Sequence, residues 1–121
     1  MNISPKPGAR LAVDANGRFD LATAQTYARD LAAYQLRWLE EMGDPLDYAL
    51  NRAVVDLGLG PVATGENLFS CQDVRNLTHY GGMRAEVDIF QMDPGLSYGL
   101  TEYMRMVAWL EQQGHARAQC Y

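Results

Sequence analysis

The stretch PVATGEN, residues 61–67, decides the fold, because a short apolar run here ends on glycine, glutamate and asparagine. The run has the length and composition of a buried strand, where an unpartnered carboxylate is costly. Glu66 therefore needs a compensating group at its strand end, either a cation or a turn. The same question arises elsewhere, because three other short apolar runs end on an acid. These acids are Asp14, Glu40 and Asp93.

Equal intervals separate the first three acids. Asp14 and Glu40 lie 26 residues apart, and so do Glu40 and Glu66 (40 − 14 and 66 − 40). Such an interval accommodates one strand, one helix and the loops between them. We therefore predict that the three acids occupy equivalent ends of consecutive strands.

Segments with helical periodicity lie between the apolar runs. The predicted helices are 21–35 after the N-cap Asp20, a segment from Pro45 to Gly58, Ser70–His79 with Asp73 in a capping box, and 100–113 before Gly114. Their predicted buried residues include Leu21, Ala24, Ala28, Leu31 and Ala32, then Leu46, Leu50, Val54 and Leu57, then Leu100, Tyr103, Met104, Val107 and Leu110. ARAQCY, residues 116–121, predicts a fifth strand. Alternating strands and helices predict a parallel sheet and the α/β class.

The carboxyl ends of parallel strands form the functional edge of α/β proteins. Three carboxylates at adjacent strand ends repel one another unless they share a hard cation. Ligation by oxygen alone suits Mg²⁺, which keeps its other positions for water or substrate oxygens. The alternative is that each acid only caps a helix or closes a turn.

Two other motifs fail on inspection. Residues 14–25 open like a calcium-binding loop, but the glycine is misplaced and Gln25 stands where a bidentate glutamate is needed. GLGPVA, residues 58–63, has the letters of a dinucleotide fingerprint, yet Pro61 and a strand follow where a helix should begin.

Composition excludes several classes of partner. The chain has 121 residues and 13.5 kDa, enough for one domain, with a net charge of −5 and a pI near 4.8. Lys6 is the only lysine and the nine arginines are scattered, which argues against nucleic acid and anionic membranes as partners. Cys71 and Cys120 are few and far apart, and no membrane span or signal peptide is evident. We expect a cytoplasmic protein.

Four stretches resemble consecutive strand ends of one family. LAVDANGRFD, WLEEMGDPLDY, ATGENLFS and FQMDPGLSYGLTEY are similar to those of the enolase superfamily, in its mandelate racemase and muconate lactonizing enzyme branch. The connection CQDVRNLTHYGGMRAEVDIFQMD is most similar to tartrate dehydratase-type acid-sugar dehydratases. The resemblance implies a tail at residues 1–8 and a partial (β/α)8 TIM barrel at 9–121, covering barrel strands three to seven.

The resemblance also implies roles for particular residues. It makes the three evenly spaced acids ligands of Mg²⁺, and Asn16 a residue that faces the substrate. Glu41 follows the ligand Glu40 and would support the ligands without contacting the metal. Asp93 corresponds to an aspartate that orients a catalytic histidine of the next strand. The implied ligands are Asp14, Glu40 and Glu66.

The implied reaction is dehydration of a small hydroxy acid. A base removes the proton alpha to a carboxylate, the metal stabilises the enediolate, and a general acid assists departure of the β-hydroxyl. The family's base lysine lies well upstream of the first ligand, whereas only 13 residues precede Asp14, and Lys6 falls in the tail. His79 lies near the end of a predicted helix and His115 in the loop after another, so neither fits the family's catalytic histidine, and both are expected at the surface or satisfied in turns.

Two interpretations therefore stay open. The chain is a portion of a Mg²⁺-dependent lyase that is inactive alone, or a non-catalytic small α/β protein that at most binds a divalent cation. In both, the open edges of a partial barrel favour homo-oligomers. Completion by a second chain that supplies the missing strands is a third route.

Overall fold

The computed structural model describes residues 11–116, which form a four-stranded parallel sheet with helices between the strands. The strand order is β1-β2-β3-β4, so each strand pairs with its neighbour in sequence. The elements are β1 Val13–Asp14, α1 Leu21–Leu31 with a 3₁₀ turn Ala32–Tyr34, β2 Leu39–Glu40, α2 Tyr48–Val55, β3 Val62–Thr64, α3 Cys71–Tyr80, β4 Ile89–Phe90 and α4 Leu100–Gln112. The predicted α/β class is confirmed. The predicted tail, Lys6 and most of the predicted fifth strand lie outside the described residues.

The strand register gives the sheet two different faces. Leu39 pairs with Val62, and these side chains pack against the helices. Asp14 pairs with Glu40, Glu40 with Ala63 and Ala63 with Ile89. Register partners in parallel strands point to the same side of the sheet. Asp14 and Glu40 therefore lie on the face opposite the helices.

The register corrects the prediction drawn from equal spacing. Glu40 pairs with Ala63, so Glu66 lies three positions further along its own chain than the level of Glu40. β3 ends at Thr64 and β4 at Phe90, before their acids. Only β1 and β2 end on the acid itself. The interval of 26 residues therefore joins equivalent positions for Asp14 and Glu40 but not for Glu40 and Glu66.

The helices cover one face of the sheet in two buried clusters. One cluster joins α1 and α2 to the first strands: Ala24, Ala28, Leu39, Met42, Leu50, Val54, Val55 and Val62. The other joins α3 and α4 to β4 and the loops beside it: Leu68, Val74, Leu77, Met83, Phe90, Met92, Met106, Val107 and Leu110. No helix within residues 11–116 has the length and apolarity to cross a bilayer.

Two predicted helix caps are confirmed. The Asp20 carboxylate accepts a hydrogen bond from the Thr23 N–H at 2.8 Å and begins α1. The Asp73 carboxylate accepts from the Ser70 N–H at 3.0 Å and from the Ser70 hydroxyl at 3.1 Å, which begins α3. These caps satisfy backbone donors that have no partner inside the helix.

The second helix begins later than predicted. Pro45 lies in a turn, and α2 starts at Tyr48 after the cap Asp47, whose carboxylate accepts from the Leu50 N–H at 3.0 Å. The Asp44 carboxylate holds the preceding turn by accepting from the Leu46 N–H at 2.9 Å. Side-chain capping at Asp47 therefore outweighs the preference of proline for a helix start.

Several predicted core positions are wrong. Leu100 and Met104 are 67% and 48% exposed, whereas Met106 is fully buried. Leu21 and Leu46 are also exposed. Leu21 and Leu100 open their helices and Leu46 precedes α2, and strands of two or three residues are too short to cover these ends. Each of these helices has an apolar face, but the short strands cover only the middle of that face.

A buried charged cluster closes the amino end of the sheet. Asp88 is 0% exposed and accepts from the Val62 N–H at 2.8 Å. The Arg84 guanidinium donates to Asp88 through Nε at 2.8 Å and Nη2 at 2.7 Å, and Nη2 also donates to the Gly60 carbonyl. A buried carboxylate is tolerated here because its charge is paired and hydrogen-bonded.

His115 belongs to the same end of the sheet and corrects a prediction. It is 4% exposed rather than at the surface, and its ring meets the Phe90 ring edge-on at 5.0 Å. Among residues 11–116 its Nδ1 has no hydrogen-bond partner, so the imidazole is not satisfied in a turn either. Burial lowers the pKa of His115 from the ordinary 6.5, and the charge of Asp88 opposes this shift.

This burial predicts a pH-dependent stability. Below about pH 6.5 the unfolded chain binds a proton at His115 that the folded chain excludes, so stability falls as pH decreases. Above about pH 7 His115 is neutral in the folded and the unfolded chain, so it adds no pH dependence to the stability. Urea unfolding between about pH 5 and 7 should show this slope reduced in His115→Leu and retained in His79→Gln, since His79 is exposed. Equal slopes in both variants would contradict the assignment.

Candidate metal centre at the carboxyl end of the sheet

The first two predicted ligands lie side by side. Asp14 and Glu40 are the last residues of β1 and β2 and are register partners. Adjacent strands are separated by about 4.8 Å, so the two side chains begin close together on one face. The Ala15 N–H donates to the Glu40 carbonyl at 3.1 Å and extends the pairing one residue beyond the strands.

Local hydrogen bonds orient both carboxylates. The Asn16 N–H donates to Asp14 Oδ1 at 2.7 Å, with Asn16 in the left-handed region at φ 50°. The Trp38 indole Nε1–H donates to Glu40 Oε2 at 2.8 Å. Each carboxylate keeps acceptor capacity beyond this one bond, because an ionised carboxylate has about four lone-pair sites. Asn16 is exposed in the loop beside Asp14.

The third predicted ligand follows a glycine that the backbone requires. Gly65 has φ 134°, and a Cβ at this position would lie 3.1 Å from the Gln91 backbone nitrogen. The Gln91 N–H donates to the Thr64 carbonyl at 3.0 Å, so the chain of β4 passes close beside the turn. Only glycine fits both the angle and the approach. The exposed side chain of Glu66 follows this turn immediately.

Glu41 follows Glu40 and is buried at the carboxyl end of the sheet. Its carboxylate is 8% exposed and accepts a hydrogen bond from Asn67 Nδ2 at 3.0 Å. Burial raises the pKa of Glu41, the Asn67 hydrogen bond opposes this, and the charges of Glu66, Asp14 and Glu40 raise it further. The charges of all three predicted ligands therefore act on Glu41 in the same direction.

The donor set has the chemistry of a hard-cation site. Within residues 11–116 no three His, Cys, Asp or Glu side chains stand in the arrangement of a completed metal centre. All the donors gathered here are oxygens, which suits Mg²⁺ or Ca²⁺ rather than Zn²⁺. The ligand roles of Asp14, Glu40 and Glu66 stay a prediction.

Asp93 stands apart from this group. It is exposed three residues after β4, where its Oδ1 accepts from the Gly95 N–H at 2.6 Å. Its carbonyl accepts from the Leu96 and Ser97 N–H groups at 3.2 and 2.9 Å, which closes a turn. Asp93 is not among the charges that shift the pKa of Glu41.

Sequence reasoning missed one residue of this site. Asn67 follows Glu66 directly, and its amide is the hydrogen-bond donor to Glu41. The available signal was the pair Glu66-Asn67 at the close of the opening stretch, since an amide beside a carboxylate supplies donors without adding charge. The partner of that amide lies 26 residues away and becomes visible only when β2 and β3 are paired.

Comparisons with known proteins agree with this architecture. The model of the Enolase C-terminal domain-like family matches residues 4–118. Part of the chain, 73 residues, is 36% identical to a 3,6-anhydro-alpha-L-galactonate cycloisomerase of Streptomyces coelicolor, covering 60% of this chain and 20% of that protein.

Solved structures of the same kind share the fold. The L-talarate dehydratase of Polaromonas sp. JS666, solved with Mg and L-glucarate, superposes with a TM-score of 0.77 and 30% identity over 86% of this chain. The L-talarate/galactarate dehydratase of Salmonella typhimurium LT2 gives 0.76 and 25% over 87%. A racemase of Streptomyces coelicolor A3(2) with bound magnesium gives 0.76 and 29% over 85%.

The chain spans only part of these relatives, namely 28%, 26% and 30% of the three solved chains. The matched part is a segment of a TIM barrel, which confirms the predicted partial barrel. Because the family model covers nearly all of the sequence, this chain belongs to the Enolase C-terminal domain-like family, among relatives of the mandelate racemase and muconate lactonizing enzyme type.

Proposed function

We propose that this chain carries the metal-binding portion of a Mg²⁺-dependent lyase that dehydrates a small acid sugar. The observation that supports this most is the strand register, which places Asp14 beside Glu40 at the carboxyl ends of β1 and β2, with Glu66 in the loop that follows β3. Relatives solved with magnesium and with L-glucarate support the choice of cation and of substrate class.

The proposed roles follow the position of each residue. Asp14, Glu40 and Glu66 hold Mg²⁺, whose positive charge would stabilise the negative charge that develops on a substrate carboxylate. Asn16, exposed beside Asp14, contacts the substrate. Asp93 orients a histidine contributed from outside the described residues.

Proton transfer has no evident donor or acceptor pair in the described part of the chain. His79 lies exposed near the end of α3, away from the carboxylates, and His115 is buried at the amino end of the sheet. Lys6 falls outside residues 11–116. We infer that a cytoplasmic enzyme of this kind needs further chain for turnover, and that this chain alone binds the cation without catalysis.

Calorimetric titration of the purified chain with MgCl₂ tests the proposal. We expect one saturable site, accompanied by a change in Trp fluorescence, because the Trp38 indole donates to the predicted ligand Glu40. Glu86→Gln is the matched control, since Glu86 is an exposed carboxylate in the connection before β4 and should leave binding unchanged. Binding that never saturates, or that Glu86→Gln also removes, would contradict a specific site.

A further inference from the structure

An open groove lies between the exposed sides of α3 and α4. Its volume is about 470 Å³, which is within the range of small-molecule binding sites. The two helices pack on each other through buried residues that include Val74, Leu77 and Leu110. Cys71 and Trp109 lie partly buried at the edge of this cluster and form the floor of the groove.

The walls of the groove carry positively charged and amide side chains. Gln72 and Arg75 come from α3, whereas Arg105 and Gln112 come from α4, and all four are exposed. Ala108 also lines the groove from α4. Because its side chain is a single methyl group, the space between the two arginines stays open.

The charges in the groove do not cancel. Glu102, the acidic residue that lines it, is already engaged, since its Oε1 accepts from the Cys71 N–H at 2.8 Å and its Oε2 from Arg105 Nη1 at 3.3 Å. Arg75 has no carboxylate partner among residues 11–116, and its guanidinium lies 5.7 Å from the centroid of the Trp109 ring. The groove therefore carries excess positive charge in a chain whose net charge is −5.

We propose that this groove binds a small polyanion, a molecule with two or more carboxylate or phosphate groups. Each guanidinium presents a fork of N–H donors that matches the oxygens of either group. The cation–π contact with Trp109 restrains Arg75, so less side-chain freedom is lost on binding. The side-chain amide of Gln112 supplies further donors. None of the predicted metal ligands lines the groove, so this inference does not depend on the proposed function.

Calorimetric titration of the purified chain with citrate, and separately with pyrophosphate, tests the proposal. The buffer must be free of metal and of EDTA, because EDTA is itself a polyanion. We expect one saturable site, and the anion that binds more tightly identifies the preferred group. Acetate, which has a single carboxylate, should bind at least about tenfold more weakly, because it can pair with only one of the two arginines.

Two variants test the groove by different properties. Arg75→Gln removes the positive charge that has no carboxylate partner, and the Kd should weaken by about tenfold or more. Ala108→Leu fills the space between the walls without changing any charge, and it should weaken the Kd at least as much. Both residues are exposed in helices, and circular dichroism checks that each variant folds.

Arg52→Gln is the matched control for charge. Arg52 lies on α2, its side chain is 52% exposed, and it pairs with Asp56 at 3.4 Å, so its loss should leave the Kd unchanged. Equal weakening in Arg52→Gln and Arg75→Gln, or unchanged binding in Ala108→Leu, would show unspecific attraction and overturn the site. Absence of saturable binding of both anions would overturn it as well. Binding of Mg²⁺ should be the same in Arg75→Gln and the unmodified chain, so the two sites are tested separately.

Discussion

We expect Glu66→Gln to lose saturable Mg²⁺ binding. The amide has the size of the carboxylate but no charge, and amide oxygens are weaker ligands for a hard cation than ionised carboxylates. Removing a direct ligand should cost more than the roughly 10–100-fold typical of residues that only support ligands, so we expect the affinity to fall by more than about 100-fold. Calorimetric titration of the variant beside the unmodified chain measures this difference.

Unfolding experiments on the same variant separate loss of the ligand from loss of the fold. Glu66 is exposed, and surface substitutions of this kind usually change the free energy of unfolding by less than about 0.5 kcal/mol. Urea unfolding in EDTA should therefore give the same midpoint for the variant and the unmodified chain. Retained Mg²⁺ affinity in Glu66→Gln would show that the carboxylates at this end of the sheet do not share a cation through Glu66.

Arg84→Met should lower the free energy of unfolding by about 3–5 kcal/mol, the cost typical of removing one partner from a buried ion pair. The partner left behind is Asp88, which is fully buried; it loses both hydrogen bonds from the Arg84 side chain and keeps the one from the Arg84 backbone N–H. The Gly60 carbonyl also loses its donor. Urea unfolding near neutral pH measures the loss.

Arg105→Met is the matched surface control for this prediction. Arg105 pairs with Glu102 at 3.3 Å, but its side chain is 71% exposed, and such pairs contribute about 0–1 kcal/mol. Both variants lose an ion pair, so the difference between their losses in free energy of unfolding measures the effect of burial. Equal losses in Arg84→Met and Arg105→Met would show that the Asp88 cluster is not a main source of stability.

Short-range features of this structure could be predicted from sequence because they depend on neighbouring residues. The caps at Asp20 and at Ser70 with Asp73 form within one helical turn. The alternation of apolar runs with helical periodicity likewise predicted the parallel sheet. The predicted start of α2 was wrong although it also depends on neighbouring residues. Pro45 and Asp47 both signal a helix start, and the helix begins after Asp47.

Long-range features required the strands to be paired. Asn67 and Glu41 are 26 residues apart, and no local pattern links them. His115 was expected outside the core because a polar residue after a helix is usually exposed, yet it packs on Phe90 beside Asp88. Its burial is set by the amino end of the sheet, which the residues around His115 do not encode.

The sequence by itself determined the kind of chemistry available here, namely carboxylates at the close of short apolar runs in an α/β chain. This follows because strand and helix periods and residue charge are local properties. Only the tertiary structure decided which carboxylates meet. Strand register set Asp14 beside Glu40, and it set Glu66 three residues beyond that level, after the turn at Gly65. Register arises from contacts between distant segments, and the burial of Glu41 among the other acids arises with it.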